Sequence, residues 1–395
     1  MESHPSTASR KSPSDEERYL VLVEFAHRHL DFLMQELEAI LEMNGVVLGS
    51  DECRLEPLEN QSVFDQTIQS LSNKDGFQKL AKRPFALLSF PADSKWAPDA
   101  DKIMNSNTPN ENQNHPCIGT VLLERCVLVR NVIELWGMAT TIEGCAAQVK
   151  SWTHASPRGK RIWQRQRHVD RSWKVSVHTL GARYKLEEQA AMRNHFSFLD
   201  FEGPVQMKDP TDEYILIREV ELDYQGGAIF PRVDDRKQLI PEHDARPPLC
   251  CFFGRIMGQP GNQRPGRGMI DQFTLKKRKY LGPTSMDTEL SFVMANLGHV
   301  RKGSMVLDPF VGTGSILIPC ALRGAYCVGT DIDIRVLRGK GGDSNVFANF
   351  QQYNLQRPEL IRSDNAMYDH HFRNSTIPIY DAIVCDPPYV DIFRF

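Results

Sequence analysis

Residues 308–314 have the sequence Asp-Pro-Phe-Val-Gly-Thr-Gly, and residues 386–389 have the sequence Asp-Pro-Pro-Tyr. An apolar run at 305–307 before the first motif is typical of a buried strand, and a second run at 315–318 is typical of a helix start. The two glycines let the backbone pass close to a ligand, because no Cβ stands in the way. The motif therefore predicts a strand, a ligand-binding turn and a helix, as in nucleotide-binding folds. A plain strand-to-helix turn is the alternative.

A second apolar run at 326–330 ends in Asp331, about 20 residues after the glycines. At this spacing a carboxylate meets the ribose hydroxyls of a nucleotide-type cofactor. A nicotinamide cofactor favours a third glycine, which the sequence after Gly314 lacks. S-adenosylmethionine is therefore the predicted cofactor. The residues predicted to bind it here are Asp308, Phe310, Gly312, Thr313, Gly314 and Asp331.

The second motif follows an apolar run at 380–385, so it is predicted to lie just beyond the carboxyl end of a strand, where open α/β sheets place their ligands. Two successive prolines fix the backbone and remove two N–H donors, which leaves carbonyl oxygens and the Asp386 carboxylate as acceptors for one amino group. Asp386 also takes the proton, and Tyr389 stacks on the base. The predicted catalytic residues for methyl transfer to an aromatic amine are Asp386, Pro387, Pro388 and Tyr389. The alternative is a rigid turn with a helix-capping aspartate.

These motifs resemble the catalytic subunit of the eukaryotic tRNA guanosine N2-methyltransferase that acts on position ten. The resemblance covers most of 250–389, and in the N-terminal half it rests on 19–23 and 130–137. The motifs that carry it lie at 284–287, 291–296, 308–314, 329–333 and 386–389. The resemblance implies tRNA as substrate, a small zinc-binding activator subunit as partner, and Asp364 near the adenine amine of the cofactor. Asp364 as a helix cap is the alternative.

The expected fold is α/β: a class I methyltransferase sheet, doubly wound but incomplete, preceded by an α+β region with ferredoxin-like and THUMP-like parts. Strands near 305, 326, 360 and 380 give four, whereas this class has seven. The strand at 380–385 is then an exposed edge, and the chain is expected to be a fragment, a truncated gene model or a shortened isoform. The predicted divisions are a disordered tail at 1–16, a tRNA-binding region at 17–205, a linker at 206–249 and a catalytic domain at 250–395.

In the N-terminal half, apolar periodicity predicts a helix at 29–43. Apolar runs predict strands at 19–23, 45–48, 85–90 and 126–129, and a polar stretch predicts an exposed insertion at 91–116.

Two basic stretches, at 158–174 and 276–279, suggest RNA contacts, the first because two tryptophans interleave with its cations. A solvated mobile loop is the alternative for the first, and a solvated face or a targeting signal for the second. The predicted RNA-binding residues are Arg158, Lys160, Arg161, Arg165, Arg167, Arg171, Lys276, Lys277 and Arg278.

The 395 residues carry a net charge of −3, which argues against a uniformly basic nucleic-acid binder, so any RNA contact has to come from local patches. The nine cysteines contain no C-x-x-C pair, and no signal peptide or membrane span is recognisable. A cytoplasmic protein with reduced thiols, no metal site and no membrane contact is expected. Adjacent pairs at 250–251 and 370–371 do not suggest a metal, because tetrahedral sites draw ligands from separated pairs.

Two functional hypotheses remain. The first is an S-adenosylmethionine-dependent enzyme that methylates the guanine N2 of an extruded tRNA base. The second is a catalytically inactive form that only binds tRNA or cofactor.

Overall fold

The computed structural model describes residues 18–26, 28–59, 83–96, 117–180, 184–220, 248–258, 266–282, 285–367 and 378–388. The predicted tail at 1–16 and most of the predicted insertion at 91–116 lie outside these residues. The chain separates into two compact units. The first comprises Met1–Glu24, Val47–Thr120 and Asn131–Pro260, and the second comprises Phe25–Val46, Val121–Arg130 and Gly261–Phe395.

Seven strands form one mixed sheet, in the spatial order β2-β3-β1-β4-β7-β6-β5. Strand β5 is parallel to β6, whereas the pairs β1–β3, β2–β3, β4–β7 and β6–β7 are antiparallel. The strands are β1 Arg18–Phe25, β2 Arg54–Glu56, β3 Phe85–Pro91, β4 Val129–Ala139, β5 Trp173–Leu180, β6 Asp212–Val220 and β7 Pro248–Ile256.

Both faces of this sheet are buried, and β6 shows why. Side chains alternate across a strand, so Tyr214 and Leu216 enter one core, with Phe253 of β7, while Ile215 and Ile217 enter the opposite core. A strand buried on both faces is a near-continuous apolar run rather than an alternating one.

The second unit contains a parallel sheet in the order β10-β9-β8-β11. Its strands are β8 Met305–Asp308, β9 Tyr326–Asp331, β10 Glu359–Arg362 and β11 Ala382–Ile383. The prediction of four strands at these positions is confirmed. Strand β11 lies at an edge, and its Ile383 is 64% exposed, as expected for the strand that precedes the Asp-Pro-Pro motif.

Helices connect these strands in both units. They are α1 Leu33–Met43, α2 Ile118–Arg125, α3 Ile142–Ala155, α4 Pro157–Gln166, α5 Leu186–Asn194, α6 Met269–Gln272, α7 Thr288–Leu297, α8 Leu317–Leu322, α9 Ile334–Arg338 and α10 Val346–Gln352. In the described parts of the chain, no helix is long and apolar enough to cross a membrane.

Helix α4 corrects the alternative that 158–174 is a mobile loop. Ser156 caps the helix by accepting a hydrogen bond from the Gly159 N–H at 3.2 Å, and Pro157 occupies the first turn, where its missing N–H is not needed. The rest of that stretch continues into β5. Of the predicted RNA-binding residues in this stretch, Arg158, Lys160, Arg161 and Arg165 lie on α4, whereas Arg167 and Arg171 lie between α4 and β5.

The predicted boundaries differ from the structure in two places. Strand β7, assigned from sequence to the start of the catalytic domain, pairs instead with β4 and β6 in the first sheet, and β6 lies inside the predicted linker. Helix α1, assigned to the N-terminal region, belongs to the second unit, where the Glu36 carboxylate accepts hydrogen bonds from the Val127 and Leu128 N–H groups and from Asn296. Residues 45–48, predicted as a strand, form only an isolated bridge at Leu48.

Candidate functional site

The four parallel strands of the second unit end at one edge of the sheet, and a polar residue follows or closes each of them. Asp308 ends β8, Asp331 ends β9, Ser363 follows β10, and Asp386 follows β11 after a short extended segment. This is the edge at which open α/β sheets bind ligands.

The turn after β8 requires glycine at two positions. Gly312 has φ 51° and Gly314 has φ 78°, in the left-handed region that residues with a Cβ rarely adopt. At Gly314 a Cβ would also lie 2.9 Å from Cγ1 of Val346 on α10, so the turn and this helix pack too closely for a side chain. The backbone of the turn is thereby held against the helix behind it.

Asp331 ties the turn to the neighbouring strand. Its Oδ2 accepts a hydrogen bond from the Gly312 N–H at 3.1 Å, and its Oδ1 accepts one from the Asp333 N–H at 2.9 Å. Because each carboxylate oxygen has a second lone pair, Asp331 retains capacity to accept further donors such as hydroxyls.

Asp308 is fully buried, and only one of its oxygens is satisfied. Oδ1 accepts a hydrogen bond from the Phe310 N–H at 2.9 Å, while Oδ2 has no hydrogen-bond partner. Burial raises the pKa of Asp308, the Phe310 N–H opposes that rise, and the carboxylates of Asp331 and Asp386 add to it, so that the pKa is about 7. A buried carboxylate oxygen without a donor costs free energy, and a cationic or N–H-bearing ligand would relieve that cost.

A cleft of about 430 Å³ opens beside these strand ends, within the range of pockets that hold small cofactors. Phe310, 37% exposed, and Ile332, 60% exposed, give it apolar walls, and the buried Ser363 Oγ has no hydrogen-bond partner. Its lining residues are Phe310, Asp331, Ile332, Ser363, Asp364, Asn365, Ala366 and Pro388.

Asp364 has the capping geometry that was the alternative to cofactor contact. Its Oδ1 accepts a hydrogen bond from the Ala366 N–H at 3.0 Å, at the start of the short 3₁₀ turn Asn365–Met367. The same residue lines the cleft, so capping and ligand contact are compatible.

A second layer of polar contacts supports the glycine turn. Thr313 Oγ1 shares hydrogen bonds with Ser285 Oγ at 2.8 Å and Ser315 Oγ at 3.2 Å, and Arg278 donates to Ser315 Oγ at 2.7 Å. Arg278 is only 7% exposed, and burial lowers its pKa. The structure therefore places Arg278, predicted from sequence to bind RNA, in contact with Ser315, directly after the glycine turn.

The Asp-Pro-Pro segment is positioned by β8. The Val384 N–H donates to the Leu307 carbonyl at 2.9 Å, and Asp386 follows two residues later as a half-buried side chain. Pro387 and Pro388 are exposed, and Pro388 lines the cleft. Tyr389 lies outside the described residues.

The first basic stretch is divided between internal and exposed side chains. Arg158 is 4% exposed, with its guanidinium 4.6 Å from the Tyr19 ring. Arg167 donates to carboxylates of Asp200 and Glu202 at 2.9 and 2.7 Å, and Arg171 binds both Asp212 oxygens at 2.6 and 2.9 Å. Lys160 and Arg161 are exposed, and Arg165 is half-buried.

In the second basic stretch, Lys276 and Lys277 are exposed, and Lys277 donates a hydrogen bond to the Asp271 carbonyl.

Sequence reasoning missed Ser363 and Asn365. Asn365 donates to the Pro309 carbonyl through Nδ2 and so connects the end of β10 to the turn after β8. Both follow directly after a predicted strand, and that position was the available signal. Among the described residues, no group of three or more histidine, cysteine or acidic side chains could hold a metal ion.

The parallel sheet, the glycine turn, the acidic strand ends and the Asp-Pro-Pro segment are the arrangement expected of a class I methyltransferase fold. Residues 276–392 match the family described as "RMKL-like, methyltransferase domain", and residues 113–231 match the "Tmrp11 THUMP N-terminal domain". The expected fold class and the THUMP-like region are confirmed.

Among characterised proteins, the chain is homologous to enzymes named tRNA (guanine(10)-N(2))-methyltransferase TRMT11. It is 29% identical to that of Pongo abelii over 383 residues, which cover 94% of this chain and 65% of the relative; the Homo sapiens protein gives the same figures. The Saccharomyces cerevisiae tRNA (guanine(10)-N(2))-methyltransferase is 28% identical over 267 residues, covering 68% of this chain and 55% of that protein. The chain thus spans about 65% of the length of its first two relatives, and the predicted resemblance is confirmed.

The structural likeness to TrmN from Thermus thermophilus has a TM-score of 0.35 at 12% identity, covering 94% of this chain and 79% of the other. This likeness is too weak to add to the assignment.

Proposed function

We propose that this chain transfers a methyl group from S-adenosylmethionine to the exocyclic N2 of a guanosine in tRNA. One observation supports this most directly: the buried, half-satisfied carboxylate of Asp308 lies at the same sheet edge as the cleft and the Asp-Pro-Pro segment. The nucleotide at position ten is proposed from the names of the relatives.

The residues at this edge suit S-adenosylmethionine, which supplies an electrophilic methyl group on a positively charged sulfonium. Asp331 would hold the ribose hydroxyls, Asp364 would accept from the adenine amine, and Phe310 and Ile332 would cover the apolar faces of the ring. Asp308 Oδ2 would accept from a cationic or N–H group of the same molecule. A site with several carboxylates selects a cofactor that carries positive charge, because an anionic one would be repelled.

The Asp-Pro-Pro segment would bind the nucleophile. The lone pair of a guanine amino group is delocalised into the ring, so the amine is weakly nucleophilic. Acceptors placed on both N–H bonds favour a pyramidal nitrogen, and neither proline can offer a competing backbone donor. The Asp386 carboxylate would accept one N–H and then take the proton as the new N–C bond forms.

The N-terminal unit would hold the tRNA so that the target base can be extruded to this site. Lys160 and Arg161, exposed on α4, are the cations of the first stretch that we assign to phosphate contacts, with Lys276 and Lys277 in the second unit. A small zinc-binding activator subunit as partner belongs to the same proposal by resemblance alone. A cytoplasmic location is proposed with it, because the sequence has no recognisable signal peptide.

The test is methyl transfer by Asp386→Ala. Incorporation of labelled methyl into unmodified tRNA should fall by at least about 100-fold, because the variant lacks the acceptor and the base. Binding of tRNA and of S-adenosylmethionine should stay close to that of the unchanged chain. The matched control is Asp343→Ala, whose carboxylate is 88% exposed and does not line the cleft, and which should keep full activity.

The assay is run with the chain alone and with the activator subunit added. Unchanged incorporation in Asp386→Ala would refute the catalytic assignment. If the unchanged chain binds tRNA and cofactor yet transfers no label under either condition, the binding-only hypothesis replaces the enzymatic one.

A further inference from the structure

A second cavity, of about 130 Å³, lies in the first unit between β1, β4 and the helices α3 and α4. Its buried polar lining is Glu134 of β4 and Arg158 of α4, which are 2% and 4% exposed. Arg18 also lines it, but the Arg18 guanidinium donates hydrogen bonds to Ser89 and to the Asp51 carbonyl. Aromatic walls come from Tyr19, Trp136 and Trp152. The cavity shares no lining residue with the methyl-transfer cleft.

Glu134 supplies the observation that indicates a ligand. Its Oε2 accepts hydrogen bonds from Arg255 Nε at 3.1 Å and from Trp136 Nε1 at 3.4 Å. Its Oε1 is buried and has no hydrogen-bond partner. A buried carboxylate oxygen that already lies in a cavity is an acceptor for an N–H or O–H group that enters there.

Strand β4 has a bulge at Trp136, which is part of the aromatic wall of the cavity. The register between β4 and β7 shifts between Leu135 and Gly137, so Trp136 is the extra residue of a bulge. Bulges re-aim side chains and are over-represented beside functional sites. The Trp136 ring stacks on that of Trp152 at a centroid separation of 4.9 Å, which gives the cavity a flat aromatic side.

The charges restrict the ligand further. A cation would meet the Arg158 guanidinium, which already covers the Tyr19 ring at 4.6 Å, and an anion would meet Glu134. A neutral planar molecule with both donor and acceptor groups on its edge satisfies both. The volume is below the roughly 300–1,000 Å³ of pockets for drug-sized ligands, so a single ring system is the expected size.

We propose that this cavity binds one nucleobase of the RNA substrate, stacked beside Trp152 and donating an N–H to Glu134 Oε1. The choice of a nucleobase among neutral planar ligands rests on the proposed function. Arg158, predicted from sequence as a phosphate contact, would then contribute to base binding instead. Among the lining residues, Gln148 on α3 is exposed, and Arg18 and Met138 are half-buried, so the base would enter from the surface next to α3.

The experiment uses ligand-observed saturation-transfer NMR on the whole chain with nucleoside 5′-monophosphates, without methyl donor. Transfer to the base protons is expected, whereas ribose 5-phosphate, which lacks the base, should show none. Glu134→Gln, which puts an amide in place of the carboxylate, should raise the Kd about tenfold or more. The matched control is Glu143→Gln, a 71%-exposed carboxylate outside the cavity, which should leave the Kd unchanged.

A second variant covers the case in which Glu134→Gln destabilises the Arg255 pair. Trp152→Leu removes the half-buried stacking wall without touching that pair, and should also weaken binding about tenfold. The proposal would be overturned by equal transfer to ribose 5-phosphate or by unchanged affinity in both variants. It would also be overturned if no nucleotide bound at all, because the cavity would then hold only water. Asp386→Ala should bind nucleotides normally here, so failure of the methyl-transfer proposal is distinguishable from failure of this one.

Discussion

The glycine turn at 308–314 and the basic stretch at 158–171 are both dense in polar residues, but they use them in opposite ways. In the turn, Asp308 keeps one buried oxygen without a partner. In the basic stretch, Arg167 and Arg171 are paired with carboxylates of their own unit, and Arg158 is buried against Tyr19. The turn therefore has a free hydrogen-bond acceptor for a ligand, whereas the paired arginines use their donors to bind carboxylates within the fold.

This difference shows that a local motif predicts backbone geometry, whereas composition does not predict which charged residues are free to bind a ligand. Two glycines in the left-handed region set the backbone path, and the Gly312 N–H on that path donates to Asp331 at the end of the neighbouring strand. A count of positive charges says nothing about which of them are already neutralised by carboxylates elsewhere.

The largest effect is expected for Asp308→Asn in the unliganded chain. The folded-state pKa of about 7 lies above the ordinary 3.8, so the folded state holds the proton longer than the unfolded state does. The stability linked to this proton is fully present below about pH 4 and is lost as pH rises to about 7. As pH rises through this window, the unchanged chain should lose up to about 4 kcal/mol of unfolding free energy that Asp308→Asn does not lose.

Denaturant unfolding of both chains between pH 4 and pH 8 measures this difference, in which all other titrating groups cancel. The asparagine amide adds a penalty of its own, but that penalty does not change with pH. Parallel stability curves would show that Asp308 is not held protonated, and the contrast with the paired arginines would lose its main support.

The next effect is expected for Gly314→Ala compared with Gly303→Ala. Both positions have positive φ, 78° and 88°, so both pay about 1–2 kcal/mol for a left-handed alanine. Only at Gly314 does the new Cβ also overlap, at 2.9 Å from Val346 Cγ1, whereas at Gly303 nothing lies within 4 Å. Unfolding should be about 3 kcal/mol easier for Gly314→Ala and about 1 kcal/mol easier for Gly303→Ala.

Gly314→Ala should also lose S-adenosylmethionine affinity, measured by calorimetry, while Gly303→Ala keeps it. Equal destabilisation of the two variants would mean that the packing of the turn against α10 relaxes freely, so that the turn is not the rigid element described above.

Arg171→Ala tests the opposite side of the comparison. Asp212 has a side chain only 1% exposed, and the nearest remaining cation is Arg255 at 3.6 Å. Leaving this carboxylate with one partner should cost about 2 kcal/mol of unfolding free energy, less than the loss of a fully buried pair because Arg171 is 28% exposed. Lys160→Ala, on the exposed face of α4, serves as the control with no change in Tm. If Arg171→Ala leaves the free energy of unfolding unchanged, the pairing with Asp212 does not stabilise the fold, and Arg171 is again a candidate for RNA binding.

The structural elements that could be predicted from the sequence are those that a short segment determines by itself. The run from β8 through the glycines to α8 needs only an apolar strand, a turn and an apolar helix in succession. Strand β7 was assigned to the wrong unit because its pairing with β4 and β6 depends on segments far away in the chain. The burial of Arg158 likewise depends on Tyr19, and no local pattern reveals such a contact. Of the residues that line the cleft, Phe310, Asp331, Asp364 and Pro388 are among the predicted site residues, while Ser363 and Asn365 belong to no motif.

The smallest effect concerns the cations that the fold leaves exposed. If Lys160 and Arg161 each neutralise one tRNA phosphate, replacing both with alanine should lower the slope of log K against log salt by about 1.4–1.8, since each contact releases about 0.7–0.9 counterion. Tm should not change, because both side chains are exposed. Filter binding of unmodified tRNA over a salt series measures the slope, with Arg193→Ala, a partly buried cation on α5 outside both basic stretches, as the control. An unchanged slope would mean that Lys160 and Arg161 neutralise no tRNA phosphate.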